Sequence, residues 1–104
     1  METKKEWGKR RFREIKEEFG CQDCGKKYPH WLLDFDHLPQ YNRIDSPMHM
    51  AARGLLEDAF EELKKCDVVC PNCHRIRTVK RRQHGWQWAY GMDDVEHWPI
   101  GADS

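Results

Sequence analysis

The hydrophobic positions near the start of the chain recur at helical spacing. Four large hydrophobic residues fall near one face of a helix drawn over residues 3 to 19: Trp7, Phe12, Ile15 and Phe19. The Lys and Arg residues of this segment lie largely on the other side, and Gly20 is suited to end the helix. The pattern therefore predicts a basic amphipathic helix over residues 1 to 20.

The spacing changes in the next segment. Residues 31 to 37, WLLDFDH, are aromatic and aliphatic with partial alternation, which predicts a strand. Residues 38 to 45 follow as a loop. Ser46 then stands before Pro47, an N-cap residue followed by a proline at the first helical position, so a short helix should run to about Arg53.

Helical spacing returns in the second half of the chain. Five residues carry it and predict a helix that ends near Cys66: Leu55, Leu56, Ala59, Phe60 and Leu63. Residues 67 to 69, DVV, form a short β-branched run that predicts a return strand. Pro71 can start a last helix that reaches about Gln83. The elements together predict an α+β fold.

The composition limits what such a fold can bury. The chain has 104 residues, of which 35% are charged, and its mean hydropathy is −0.99. So polar a chain of this length needs a stabilising element beyond its hydrophobic core. No apolar run is long enough for a transmembrane helix, and the N-terminus METKKEWGKRRF lacks the apolar segment of a secretory signal. We therefore expect a cytoplasmic protein with no membrane contact.

The charges are unevenly distributed, although 18 basic and 18 acidic residues give a net charge of zero. Residues 75 to 82, RIRTVKRR, contain five basic residues and no acid, whereas residues 83 to 104 contain four acids and no Lys or Arg. The basic stripe is suited to phosphate and the acidic tail is not. The predicted DNA-binding residues are those of the stripe: Arg75, Arg77, Lys80, Arg81 and Arg82.

Four of the five cysteines form two Cys-x-x-Cys pairs, CQDC and CPNC. Such pairs supply the four thiolates of a closed tetrahedral zinc site, here Cys21, Cys24, Cys70 and Cys73. Disulfides are the main alternative, but they would fit an oxidising compartment and leave one cysteine over. We interpret Cys66 as a small buried hydrophobe at the end of a helix rather than a fifth ligand.

A second group of residues lies between and beside the cysteine pairs. Asp36 and His37 end the predicted strand, and His74 directly follows Cys73. Adjacent helical residues point about 100° apart, so His74 should face away from a zinc ion bound by Cys73. Arg77 and Arg81 lie on the same helix face as His74. Asp36 and His37 should point to opposite faces of a regular strand.

The order Cys-x-x-Cys-Gly, LDFDH and Cys-x-x-Cys-His-Arg resembles the four-cysteine, zinc-containing branch of the HNH endonucleases, found in phages and restriction systems. The resemblance covers about residues 20 to 80 and implies a small ββα-metal (HNH) core with flanking helices. It implies that His37 is the general base and that Asp36 and His74 bind the catalytic divalent ion. The implied domains are a helix at 1–20, a nuclease domain at 21–83 and an acidic aromatic tail at 84–104.

The residue types suit this chemistry. A histidine accepts a proton from water near neutral pH, and one carboxylate with one imidazole suits Mg²⁺, Mn²⁺ or Ni²⁺. The middle asparagine of the family has no clear counterpart, since Lys65 and Cys66 stand at its expected spacing and Asn42 and Asn72 lie elsewhere. A backbone carbonyl near Cys66 could instead hold the His37 ring.

The expected function is therefore metal-dependent hydrolysis of DNA phosphodiester bonds, by nicking or double-strand cleavage. One alternative is a zinc-dependent nucleic-acid-binding module without catalysis. Another is an assembly domain with a phage packaging or restriction partner protein, using the acidic tail. The tail aromatics Trp86, Trp88 and Tyr90 are expected to pack on the core.

Overall fold

The computed structural model describes residues 1–81, and the predicted tail at 84–104 and its aromatic residues lie outside them. Within this part of the chain the fold is α+β, with a two-stranded antiparallel sheet and four α-helices. The elements are α1 (Lys4–Phe19), β1 (Asp34–His37), α2 (Pro47–Ala52), α3 (Leu56–Leu63), β2 (Cys66–Val69) and α4 (Pro71–Arg81). No helix over residues 1–81 is long and apolar enough to span a bilayer.

Helix α1 begins with a capping box. The Thr3 hydroxyl accepts a hydrogen bond from the Glu6 N–H at 3.1 Å, and the Glu6 carboxylate accepts one from the Thr3 N–H at 3.3 Å. These bonds satisfy backbone donors that a helix start leaves unpaired. The helix ends at Phe19, before Gly20, so the predicted helix is confirmed. Of its four hydrophobic residues Phe12 and Ile15 are buried, whereas Phe19 at the end is exposed.

Two hydrophobic clusters form the core, and Phe35 of β1 packs against both. The first cluster contains Phe12 of α1, which is fully buried with its ring centroid 4.9 Å from that of Phe60 on α3. Helix α1 lies so close to α2 that a Cβ at Gly8 would stand 2.3 Å from the Ala51 carbonyl oxygen. The second cluster surrounds the cysteines and contains Leu33, Val68 and Val69.

The sheet pairs β1 and β2 in regular antiparallel register, from Asp34 opposite Val69 to His37 opposite Cys66. The predicted strand was too long, because His30–Leu32 forms a turn of 3₁₀-helix closed by a 3.1 Å bond from the Leu33 N–H to the His30 carbonyl. The prediction that Cys66 ends a helix is wrong, because Cys66 is half-buried at the start of β2. Helix α3 stops earlier, at Leu63.

Candidate functional site

Four cysteine sulfurs form a compact group. The Sγ atoms of Cys21, Cys24, Cys70 and Cys73 all lie within 4.8 Å of one another. Sulfurs bound to one tetrahedral zinc stand about 3.8 Å apart, since each Zn–S bond is about 2.3 Å. The group therefore could hold a structural metal such as zinc with little movement.

The first cysteine pair lies on a tight turn between α1 and the 3₁₀ segment. The Cys21 N–H donates to the Lys26 carbonyl at 2.9 Å, and the Gly25 N–H donates to the Cys21 carbonyl at 2.8 Å. Gly25 has φ of 75°, a left-handed conformation that a side chain disfavours. The backbone conformation of the turn therefore explains why a glycine directly follows Cys24.

The second pair lies where β2 passes into α4. Cys70 precedes the helix and accepts the His74 N–H at its carbonyl, at 2.8 Å. Gln22 joins the two pairs, because its N–H donates to the Val68 carbonyl at 2.8 Å and its side-chain oxygen accepts the Val68 N–H at 2.5 Å. These two contacts hold the Cys-x-x-Cys segments side by side.

The thiols differ in their tendency to ionise. Burial raises the pKa of Cys73 far above its ordinary value and also raises that of Cys24. Burial would raise the pKa of Cys21 as well, but backbone N–H groups of Cys24, Cys70 and Asp23 donate to its sulfur and bring it to about 7. Burial raises the pKa of Cys66 to about 12, with a further contribution from the nearby Glu62 carboxylate. Cys66 thus stays a neutral thiol, outside the four-sulfur group.

The guanidinium of Arg77 is the centre of a buried ionic network. Its side chain is 2% exposed and contacts three carboxylates: Asp23 at 2.6 Å, Asp36 at 2.9 Å and Asp67 at 3.0 Å. The three acids come from the first cysteine turn, β1 and β2. The prediction that Arg77 binds DNA is therefore corrected, because its guanidinium is buried and already neutralised by these carboxylates.

Asp36 faces α4 and is the most heavily contacted carboxylate of the site. Arg81 donates to both of its oxygens at 3.0 Å, and His74 Nε2 lies 3.4 Å from Oδ1. Burial would raise the pKa of Asp36, but contacts from His74, Arg81 and Arg77 hold it well below its usual range. In turn Asp36 raises the pKa of His74, burial opposes this, and Asp34 at 3.2 Å from Nδ1 adds to it. The structure thus brings Asp36 and His74 together, as the sequence suggested, while their role as ion ligands stays a prediction.

His37 lies on the other face of the sheet, because β1 pairs regularly up to its last residue. Its Nε2 stands 2.9 Å from Oε2 of Glu62 on α3. The suggested backbone carbonyl near Cys66 is therefore wrong. Asn42 and Asn72 do not hold the ring either, since Glu62 is the hydrogen-bond partner of the imidazole among residues 1–81.

Glu62 is the site residue that sequence reasoning missed. Its carboxylate is 2% exposed and also accepts the Ile44 N–H at 2.9 Å and the Lys65 ammonium at 2.9 Å. Burial alone would raise its pKa, but the bonds from Ile44, Lys65 and His37 outweigh burial and lower the pKa to about 2. Its position in the sequence, three residues after Ala59, could have indicated that Glu62 lies on the buried face of α3.

The other predicted DNA-binding residues are placed differently from one another. Arg75 is exposed on α4, Lys80 is half-buried, Arg81 contacts Asp36, and Arg82 lies outside the described residues. A cleft of about 270 Å³ opens beside the His74 ring and is lined by Asp34, Pro71, His74, Arg75 and Thr78. Through this cleft the His74 ring is accessible from solvent, whereas Asp36 does not line it.

No family model, curated protein or solved structure matches the chain. What the site can do thus follows from its own geometry. It combines a four-thiol group, a carboxylate–imidazole pair and a second imidazole held by a buried carboxylate.

Cys70→Ser is expected to abolish cooperative unfolding and zinc retention, because three thiolates cannot form the closed site. Structural zinc contributes about 10–16 kcal/mol of apparent binding free energy in small domains, as much as a whole domain's stability of about 5–15 kcal/mol. Zinc content and thermal unfolding measure the effect. Cys66→Ser is the matched control and should retain zinc and a cooperative transition, and a Cys70→Ser protein that melts like the parent would refute a stabilising metal site.

Glu62→Gln should destabilise the fold in a pH-dependent way. The folded-state pKa of Glu62 is about 2 against an ordinary 4.5, so its carboxylate stabilises the fold above pH 4.5 and loses that effect as pH falls toward 2. The stability deficit of the variant should be on the order of 3 kcal/mol at neutral pH and shrink below pH 4.5. Denaturant unfolding at several pH values measures it. The exposed neighbour Glu61→Gln is the control, and a pH-independent deficit would contradict the ionic role of Glu62.

Proposed function

We propose that the protein is a metal-dependent endonuclease of the HNH type that hydrolyses DNA phosphodiester bonds. The observation that supports the proposal most is the Glu62–His37 contact of 2.9 Å, one strand position from the Asp36–His74 pair. An imidazole fixed by a buried carboxylate is suited to accept a proton, and a carboxylate–imidazole pair is suited to hold a divalent ion. DNA is the proposed substrate, and the four-cysteine site is proposed to hold structural zinc.

His37 is the proposed general base. Glu62 is ionised at neutral pH because its pKa is about 2, so its carboxylate only accepts hydrogen bonds. It therefore selects the tautomer in which His37 Nε2 carries the proton, and Nδ1 keeps its lone pair. Nδ1 is then the atom that takes a proton from the attacking water, and Glu62 stabilises the imidazolium that results.

Asp36 and His74 are the residues that would hold a catalytic divalent ion. When bound, Mg²⁺, Mn²⁺ or Ni²⁺ would neutralise charge on the scissile phosphate. The donor types fit these ions, because one carboxylate oxygen and one imidazole nitrogen stand 3.4 Å apart and the imidazole lines an open cleft. A bound ion would replace one of the guanidinium contacts that Asp36 makes with Arg77 and Arg81. Arg81 shares the oxygens of Asp36 and is placed to transfer one of its hydrogen bonds to a phosphate oxygen of the DNA.

The substrate position follows from β1. Asp36 and His37 point to opposite faces at the end of this strand, so a phosphodiester must lie across the strand end to meet both. The chain continues from there into the loop over residues 38–46, and the Leu38 N–H donates to the Lys65 carbonyl at 2.9 Å. This bond joins the end of β1 to Lys65, whose ammonium also contacts Glu62.

One observation favours a second candidate, a non-catalytic zinc-dependent nucleic-acid-binding module. Both oxygens of Asp36 accept guanidinium hydrogen bonds from Arg77 and Arg81, which is also the arrangement of a purely structural carboxylate. In that case the network would only join the cysteine turn to the sheet. The two candidates differ in whether His37 matters for anything besides stability.

His37→Ala should lose plasmid nicking by two or more orders of magnitude, about the contribution of a general base. His74→Ala should also lose nicking, but higher Mn²⁺ should restore part of it, because excess metal compensates for a weakened ligand set and not for a missing base. The assay follows supercoiled plasmid with added Mg²⁺, Mn²⁺ or Ni²⁺ and zinc-loaded protein. His49→Ala is the matched control, since this exposed imidazole contacts only Asp45 among residues 1–81.

The nicking assay, together with a measurement of DNA binding, separates the two candidates. Nicking at the parent rate by folded, zinc-loaded His37→Ala and His74→Ala proteins would refute the nuclease proposal. Tight DNA binding without nicking by any of the proteins would favour the non-catalytic module.

A further inference from the structure

Helix α1 contains seven basic residues, and its acids neutralise only some of them. Within residues 1–19, each of the five glutamates has a defined partner. Glu2 and Glu14 contact Arg10, and Glu14 and Glu18 contact Arg11. Arg10 and Arg11 are therefore ion-paired, and we refer to them as the paired arginines.

The two remaining glutamates are engaged by the backbone. Glu6 accepts the Thr3 N–H in the capping box, and Glu17 accepts the His30 N–H at 2.9 Å. Each carboxylate within residues 1–19 thus already has a partner other than Lys5, Lys9 and Arg13.

Four exposed cations stand apart from these pairs, namely Lys4 and three that share one face of the helix. Lys5, Lys9 and Arg13 follow one another at intervals of four residues, and none has a carboxylate partner among residues 1–81. Residues four apart are neighbours on one helix face. We refer to Lys5, Lys9 and Arg13 as the basic track.

The basic track leads toward the candidate site. Lys16, three residues beyond Arg13, places its Nζ 5.0 Å from the centre of the Phe35 ring in β1. Burial lowers the pKa of Lys16, the nearby charge of Asp34 opposes this, and the nearby charge of Arg13 adds to it. Asp34 in turn contacts His74 at 3.2 Å.

Within residues 1–81 no direct ion pair offsets the repulsion between these three cations. Like charges four residues apart on a helix destabilise it by about 0.2–0.5 kcal/mol per pair. The three cations are spaced about 6 Å apart along the helix, close to the axial rise of about 6.8 Å over two phosphates of one DNA strand. An array of phosphates is the ligand that matches this spacing and charge.

We propose that the basic track binds the sugar-phosphate backbone of double-stranded DNA and directs the duplex to β1, the strand that carries Asp36 and His37. This inference rests on the proposed function for the direction of the duplex, while backbone binding itself needs no catalysis. Contacts of this kind position a duplex without reading its sequence. The proposal therefore assigns DNA affinity to α1, in addition to the predicted stripe on α4.

The test is the salt dependence of DNA binding by the full chain carrying zinc, with no other divalent ion added. Fluorescence anisotropy would follow a labelled duplex of about 20 base pairs at about 50 to 200 mM salt. The variant Lys5→Gln/Lys9→Gln/Arg13→Gln should reduce the slope of log affinity against log salt by about two to three and weaken binding at least about tenfold. The reduction should be the same for unrelated duplex sequences.

A matched variant removes the same number of cations from ion-paired positions. Arg10→Gln/Arg11→Gln/Lys64→Gln alters the two paired arginines and a lysine that contacts Glu61, and it should leave the slope within about one unit of the parent. Circular dichroism and zinc content should match the parent for both variants.

The inference is overturned by an unchanged slope in the track variant, or by an equal loss in the matched variant, which would reflect net charge alone. It is also overturned if the track variant loses affinity for polyglutamate and not for DNA, because the track would then serve an acidic protein. Normal nicking with an unchanged slope refutes the inference and leaves the proposed function intact. A reduced slope in a protein that never nicks supports the inference and refutes the nuclease.

Discussion

The convergence of four cysteine sulfurs within 4.8 Å is the constraint on which the rest of the described structure depends. Cys73 lies in the first turn of α4, and Arg77 follows one helical turn later. Fixing Cys73 therefore carries Arg77 to the buried position between Asp23, Asp36 and Asp67. A guanidinium this deeply buried is tolerated only because the three carboxylates surround it. The cysteine group, α4 and the sheet are thus one connected arrangement.

The two-residue period of β1 divides the site between the faces of the sheet. Asp34 and Asp36 face α4, where His74 and Arg81 meet them, while Phe35 and His37 face the side of α1 and α3. The ionic network and the Glu62–His37 pair consequently form in separate surroundings. Each face can present a different chemical group at the end of the same strand, which is what a base and an ion site on one phosphodiester would require.

The sequence patterns predicted what depends on local spacing. The cysteine pairs, the amphipathic α1 and the Ser46–Pro47 start of α2 are all signals within a few residues, and the structure shows each of them. The length of β1 was overestimated because residues 31–33, WLL, have the hydrophobic character typical of a strand. In the structure His30–Leu32 instead forms a 3₁₀ turn.

Sequence patterns of this kind could not predict contacts between residues that are distant in the chain. Arg77 stands in a run of basic residues that looks exposed, and the acids that bury it come from positions 23, 36 and 67. Glu62 contacts His37 across 25 residues of sequence, which contain the loop after β1, α2 and most of α3. Only its place on the buried face of α3 distinguishes it from its exposed neighbour Glu61. The fold class was thus readable from the sequence, and the partners of the site residues were not.

The most direct measurement is Mn²⁺ binding to the zinc-loaded chain, followed by electron paramagnetic resonance. If α4 serves a closed thiolate site through Cys73 and an open ion site through His74, the parent should bind one Mn²⁺ per chain beside its zinc. His74→Ala should lose that Mn²⁺ while keeping zinc, and His37→Ala should bind it as the parent does. Mn²⁺ binding that is absent from the parent, or unchanged by His74→Ala, would contradict a second metal site at Asp36 and His74.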